Sequence, residues 1–269
     1  MISSSLILYH NKPEDVKNVL NSVLKSVINV LVVIDHSSND ELKKYITESD
    51  RVIYRHTPND GYGAGHNLGF KIANEKIKSD YHIVVNPDVF FEPEAIANLS
   101  EYMDKHAEVS MVMPKVFYPN GDFQYLCKLL PTPSDIFLRQ FAPEKIKNQN
   151  NRRYALMDAD YEKEMEIPSL SGCFMFLRTA CFEDIGGFDT RYFMHFEDID
   201  LTRRMGNVGK TMYYPYSSIV HAHAAAHRQS KKMLLIGLKS AIKYFNKWGW
   251  FFDKVRRERN TKALNRYST

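Results

Sequence analysis

Asp88 closes the run Tyr81-His82-Ile83-Val84-Val85-Asn86-Pro87-Asp88. Ile83, Val84 and Val85 suit a strand buried on both faces. Pro87 has no N–H for a ladder and ends it. A carboxylate just past the carboxyl end of a central strand lies where open α/β sheets bind ligands. There it can hold a divalent cation and, through it, a diphosphate. The competing role is a cap on the turn before Glu92-Pro93-Glu94.

A second group of acids lies in Tyr192-Phe193-Met194-His195-Phe196-Glu197-Asp198-Ile199-Asp200-Leu201. Carboxylates among aromatic rings are partly desolvated, which raises their pKa and suits a general base. Glu197 and Asp198 are neighbours and need not point the same way; Asp200 faces elsewhere or pairs with Arg203 or Arg204. The alternative for each is N-capping of the helix that follows. His221 and His223 share a face on an extended segment. Neutral imidazole ligates metals, and with Asp88 the two could form a mixed site, although a histidine pair can equally be structural. Asn59–Gly69, with Gly61, Gly63 and Gly65, leads into a helix expected over 70–76. Such a loop can receive phosphate at the helix N-terminus or serve as a tight connector. It lacks the Gly-Lys-Ser/Thr of a Walker loop and follows the third strand, not the first.

These residues need a scaffold. Leu6–Tyr9, Val30–Ile34 and Arg51–Arg55 read as strands, and residues 15–25 and 41–48 as helices between them. This β-α-β-α-β order, with Asp35 at the end of the second strand, predicts a mostly parallel sheet flanked by helices. Residues 93–106 read as a helix, Val109–Met113 as a strand and Pro119-Asn120-Gly121-Asp122 as a hairpin turn. Residues 127–166, polar and rich in Pro, Asn, Lys and Arg, read as an irregular insertion. A strand is expected over 168–177, another over 211–214, and a helix over 230–245.

At 269 residues, 44% hydrophobic, the chain is long enough for one large α/β domain. Three cysteines without C-x-x-C spacing do not suggest a disulfide framework and favour a reducing cytosol. The start shows no signal-peptide pattern, and no apolar run approaches a membrane span. The net charge of +4 is concentrated near the end, where Lys and Arg alternate with Leu234, Leu235, Leu238, Trp248, Trp250, Phe251 and Phe252. That tail reads either as peripheral attachment to an anionic membrane or as a helix packed on the core. No nucleic-acid motif accompanies the charge.

Taken together and in order, Tyr9-His10-Asn11, Ile34–Asp40, Asn59–Gly69, Asn86-Pro87-Asp88, Gly186-Gly187-Phe188-Asp189, Phe196–Leu201 and Val220-His221 resemble a family 2 glycosyltransferase. Within that family the chain is similar to the bacterial rhamnosyltransferase-like branch. The resemblance implies a GT-A fold, a Rossmann-like, mostly parallel α/β sheet. Its domain would span 1–230, with a nucleotide-binding half over about 1–115, an acceptor-binding half over 116–230, and a basic amphipathic helical extension over 231–269. It implies that Tyr9, Asn11, Asp35, Ser37, Gly61, Gly63, Asn67, Asn86 and Asp88 contact or border the donor nucleotide. Gly172 and Cys173 would line the sugar and acceptor pocket. Asp88, with His221 and His223, would hold Mg²⁺ or Mn²⁺, and Asn86 stands where the family's metal motif has its first Asp. Asp198 would be the base, with Glu197 the fallback. The implied activity is inverting transfer, L-rhamnose from dTDP-L-rhamnose first and a UDP-hexose second. The acceptor would be a glycan or lipid-linked saccharide of cell-surface polysaccharide (O-antigen or capsule) synthesis. The enzyme would be cytoplasmic, in contact with the inner leaflet. A nucleotide-binding module without catalysis is the rival.

Overall fold

The computed structural model describes residues 1–222 and 231–267. A nine-stranded mixed sheet forms its centre. One half is parallel: β3 (Val52–His56), β2 (Val30–Asp35), β1 (Ile2–Leu8) and β4 (Tyr81–Val85) lie side by side in that order. β10 (Phe174–Arg178) then runs antiparallel between β4 and β6 (Val109–Phe117). β11 (Lys210–His221) pairs parallel with β6, and antiparallel with β5 (Val89–Phe90) and with β8 (Met165–Glu166). A two-stranded ribbon joins β7 (Cys127–Lys128) to β9 (Ser169–Leu170). Every residue of β1, β2 and β4 is buried, as strands covered by helices on both faces require.

α1 (Pro13–Lys25) and α3 (Pro93–Lys105) start with Pro at a position where the missing N–H costs nothing, and their apolar stripes cover one face of the sheet. Residues 41–48 yield only a 3₁₀ turn, Glu41–Tyr45. α2 spans Tyr62–Lys76, so it starts eight residues before the expected boundary and contains Gly63, Gly65 and Gly69. Three glycines each weaken a helix by about 1 kcal/mol, which is why the sequence reads as a loop. Here they permit close packing: an added Cβ would meet Phe188 Cβ at 2.8 Å, His36 Nε2 at 2.6 Å and Ser5 Cβ at 2.7 Å respectively.

The insertion over 127–166 is not irregular. It forms α4 (Pro133–Phe141) and α5 (Glu144–Tyr154). Thr132 and Asp135 form a reciprocal capping box that starts α4, and Tyr154, Leu129 and Leu130 bury beneath the pair. The last segment is no appendage either. α8 (Lys231–Trp248) and α9 (Lys254–Tyr267) pack on α7 (Glu197–Val208): Arg203 forms a bidentate pair with Asp253 at 2.6 and 2.7 Å, and both side chains are buried. Ala263 of α9 lies in the core, and Asn260 bonds both backbone groups of Leu130.

The core also holds a polar chain. Ser3, Ser4 and Ser5 of β1 are fully buried. The Ser3 hydroxyl meets Ser79 and His82 Nδ1, and the Ser5 hydroxyl lies 2.8 Å from His82 Nε2 and 2.7 Å from His66 Nδ1. Burial pushes His82 down to about 3, so it stays neutral and each ring nitrogen has a hydroxyl partner. All three cysteines are free thiols, Cys127 and Cys173 buried. No helix of the described residues is long and apolar enough to cross a membrane.

Candidate active site

β2, β1 and β4 are parallel neighbours, so their carboxyl ends share one edge of the sheet. Asp35 ends β2, and Asp88 follows β4 two strand spacings away, about 10 Å. Asp35 is fully buried. Its Oδ1 accepts from Ser37 N at 2.9 Å and its Oδ2 from the Tyr54 hydroxyl at 2.8 Å. Ser37 Oγ in turn accepts from His10 N, and Asn11 Oδ1 from Tyr9 N. Tyr9 is exposed at this edge.

Asp88 is not a helix cap: α3 is preceded by Glu92, and no side chain caps it. Its partner is His221, the last residue of β11, brought alongside because β11 pairs with β5 with His221 opposite Val89. Asp88 Oδ1 lies 3.4 Å from His221 Nε2. Gln124, beyond the Pro119–Asp122 turn, fixes the tautomer. Its Nε2 donates to the His221 and Phe117 carbonyls at 2.6 and 3.3 Å, so its Oε1 must accept from His221 Nδ1 at 3.0 Å. With a proton on Nδ1, His221 turns its Nε2 toward the Asp88 carboxylate. An imidazole nitrogen and a carboxylate oxygen side by side are both ligand types for a divalent cation, and a ligand histidine oriented by a carbonyl is the usual outer shell of a metal site. Asp88 and His221 therefore fit a divalent cation that completes its shell with diphosphate oxygens and water. Among the described residues, no group of three or more His, Cys, Asp and Glu side chains could hold a metal. His223 lies outside the described residues.

Tyr62, at the start of α2, links this edge to the second acid group. Its hydroxyl lies 2.6 Å from the Gly172 carbonyl and 3.0 Å from Asn86 Oδ1. Burial raises its pKa well above the usual value, and the negative charges of Glu197, Asp198 and Asp88 add to that rise along with Cys173. Through Gly172, whose N–H donates to Asp198 Oδ2 at 3.1 Å, the Tyr62 hydroxyl connects Asn86 to Asp198. Asp198, half-buried at the start of α7, accepts from Gly172 N at 3.1 Å and from Ile199 N at 2.8 Å. Gly172 packs closely there: a Cβ would lie 3.1 Å from Asp198 Cβ, so a larger residue would press on that side chain.

The backbone before α7 is unusual. His195 and Phe196 are consecutive non-glycine residues with φ of 67° and 69°. Left-handed backbone of this kind clusters where surrounding structure fixes a functional geometry. Glu197 is buried, its Oε2 has no hydrogen-bond partner, and burial followed by the Asp198 charge pushes its pKa well up. Glu197 is closed off from solvent, and the half-buried Asp198 is the reachable acid of the two. Asp200 turns away, as expected, and is fully buried. It accepts from Arg204 Nε at 2.7 Å, Lys247 Nζ at 2.6 Å and Trp248 Nε1 at 2.7 Å.

The raised Glu197 value has a pH consequence. A carboxyl whose folded value exceeds its unfolded one contributes stability that is full below about 4.5 and lost as pH rises toward the raised value. Replacing Glu197 by Gln should therefore give a melting temperature that gains on the wild type as pH rises through that window. Parallel melting curves from pH 4 to 8 would show that Glu197 is not held protonated.

Other sequence candidates serve the scaffold. Gly61, at φ 105°, lies against the Phe193 backbone, where a Cβ would meet Phe193 O at 2.5 Å, and Gly63 lies under Phe188. Asn67 exchanges two hydrogen bonds with the Phe188 backbone, at 2.8 and 2.9 Å, and so clamps the Gly186-Gly187 turn. The Cys173 thiol is buried in the core, pushed up to about 12 by that burial, and only its carbonyl reaches the site, accepting from Asn86 N. Sequence reasoning missed Tyr62, which it placed in a loop, and Gln124, which no local pattern marks.

Residues 4–186 match the family model for Glycosyl transferase family 2. Among curated proteins, an N-acetylglucosaminyl-diphospho-decaprenol L-rhamnosyltransferase of Mycobacterium tuberculosis is 28% identical over 61% of this chain and 57% of its own. A low-salt glycan biosynthesis hexosyltransferase, Agl10, of Haloferax volcanii is 24% identical over 75% of this chain and 60% of its own. The rhamnosyltransferase WbbL of Escherichia coli is 27% identical over 68% and 70%. The chain thus spans less than two thirds of the length of the first two. Among solved structures, GalNAc-T7 with UDP, GalNAc and Mn²⁺ superposes with a TM-score of 0.64 at 13% identity, covering 93% of this chain and 50% of that one. A mannosyltransferase from Pyrobaculum calidifontis with GDP-Man and Mn²⁺ superposes at 0.58 and 14% identity, covering 91% and 63%. At these identities the superpositions establish the fold, which is GT-A.

Proposed function

Because the chain belongs to glycosyl transferase family 2, we propose that it moves a sugar, with inversion, from a nucleotide-sugar donor to a hydroxyl of a glycan or lipid-linked saccharide. The observation that supports this reading is the chain of contacts from Asn86, beside Asp88, through the Tyr62 hydroxyl and Gly172 to the Asp198 carboxylate. In the reaction, the acceptor hydroxyl attacks the anomeric carbon while the bond to the diphosphate oxygen breaks on the opposite side. Asp198 takes the hydroxyl proton as the new bond forms. Gly172 N and Ile199 N hold its carboxylate in place. Asp35, with Ser37, Asn11 and Tyr9 around it, receives the pyrimidine base, and Asn86 borders the diphosphate. Asp88 and His221 are the residues that would hold Mg²⁺ or Mn²⁺, which when bound neutralises the charge growing on the leaving diphosphate.

L-Rhamnose from dTDP-L-rhamnose is the preferred donor, supported by the names of two relatives. A UDP-hexose is the second reading, supported by a fold neighbour solved with UDP. A nucleotide-binding module without catalysis does not require a base such as Asp198. The donor reading is tested by thermal stabilisation and nucleoside diphosphate release across dTDP-, UDP- and GDP-sugars, with and without Mn²⁺. A dTDP- or UDP-sugar should stabilise the protein and release nucleoside diphosphate. Stabilisation without release under every acceptor condition would favour the binding module.

A further inference from the structure

α8 is fastened to the segment that leads into the acids: Ser240 Oγ donates to the Met194 carbonyl at 2.8 Å, Lys243 Nζ to the Arg191 carbonyl at 2.5 Å, and Lys247 Nζ and Trp248 Nε1 to Asp200. Ala241, Tyr244 and Phe245 bury beneath with Tyr192 and Phe196. Nearer its start, α8 leaves apolar side chains open to solvent. Leu234, Leu235, Leu238 and Ile242 are exposed at helical spacing, and the turn after the helix carries Phe251 and Phe252, 79% and 98% exposed.

Burying these side chains needs an apolar medium, and the charges around them say which. Lys232 and Lys239 lie on one line beside the apolar stripe, seven residues apart, and both are exposed. From Lys231 to Phe252 there is no Asp or Glu. The next acid, Asp253, is buried against Arg203. α4, which packs on the same cluster through Ile136, adds exposed Phe137 and Phe141 and its one exposed charge, Arg139. An apolar stripe with a purely cationic border matches an anionic lipid surface, where Leu and Phe enter the acyl boundary and Lys meets the headgroups.

We propose that α8 and the Phe251–Phe252 turn dock this protein on an anionic bilayer. Because α8 is also bonded to the segment 191–200, docking sets the acid-bearing end of α7 at a fixed attitude to the membrane. That consequence, delivery of a lipid-linked acceptor to Asp198, rests on the glycosyltransferase reading; the docking itself does not.

The test is sedimentation of the full chain with vesicles of phosphatidylcholine, alone or mixed with phosphatidylglycerol. Wild type should pellet with the mixed vesicles and far less with phosphatidylcholine alone. Phe251→Ser with Phe252→Ser, and separately Leu234→Ser with Leu238→Ser, should weaken binding by about tenfold or more. Lys232→Glu with Lys239→Glu should abolish the preference for phosphatidylglycerol. All three variants should keep the wild-type melting temperature and donor stabilisation, so failure here is distinct from failure of the enzymatic reading. Wild type remaining in the supernatant, or variants pelleting equally, overturns the proposal. So does a concentration-dependent dimer, in vesicle-free sedimentation, that the same substitutions dissolve, since the face would then belong to a second copy.

Discussion

Replacing Asp198 by Asn should lower turnover by about 10²- to 10⁴-fold, the usual contribution of a positioned general base, while donor affinity stays close to wild type. The substitution keeps the size of the side chain. Asn Oδ1 can still accept from one of the two N–H groups, Gly172 or Ile199, that hold the carboxylate. What is lost is the ability to take a proton. On the proposed function the donor binds at the Asp35–Asp88 edge, which the change does not touch, so binding measured by thermal shift should survive. The comparison with Glu197→Gln separates the two acids: a buried, protonated carboxyl is a poor base, and that variant should retain most turnover. If Asp198→Asn turns over normally and Glu197→Gln does not, the roles are reversed.

Asp253→Asn should cost about 3–5 kcal/mol of stability, because it leaves Arg203 charged and unmatched in the interior. Arg203 is 2% exposed, sits over the Trp248 ring at 4.1 Å and meets the Tyr244 hydroxyl at 3.4 Å, so water has little access to it. The same Asp253 accepts from Arg256 N, and Arg256 ties back to the carbonyls of Gly249 and Trp250. Burial works against the Asp253 carboxylate, but Arg203 and Arg256 hold its pKa below the usual 3.8. Its contribution is therefore present above pH 3.8 and lost as pH falls through the depressed value. Urea unfolding at neutral pH checks the size of the effect. A loss within 1 kcal/mol would mean that the C-terminal helices do not depend on this pair.

Much of the scaffold could be read from the chain because it follows from local chemistry. The Ile83–Val85 run, the Pro87 stop and the Asp88 position are one strand end, and the structure places them there. Asp200 with Arg204 is an i,i+4 pair, visible in the sequence. The polar, Pro-, Asn-, Lys- and Arg-rich composition of 127–166 reads as irregular, and the capping box of Thr132 and Asp135 that starts the first of its two helices shows only in the structure. α2 was cut short because glycine weakens helices in isolation, and only the facing Phe188, His36 and Ser5 show why it is tolerated. Ser3–Ser5 look like a polar start, and their burial depends on His66 and His82, more than sixty residues away. Tyr62 and Gln124 act through partners over ninety residues distant, Gly172 and His221, so nothing near them in sequence marks their part in the site.

Calorimetric titration of UDP and dTDP into the wild-type protein and Asp88→Asn, with and without Mn²⁺, bears most directly on the shared cleft. If Asp88 and His221 present a cation to a bound diphosphate, Mn²⁺ tightens nucleotide binding in the wild type and has little effect in the variant. Equal tightening by Mn²⁺ in both proteins, or no nucleotide binding by the wild type under any condition, would contradict it.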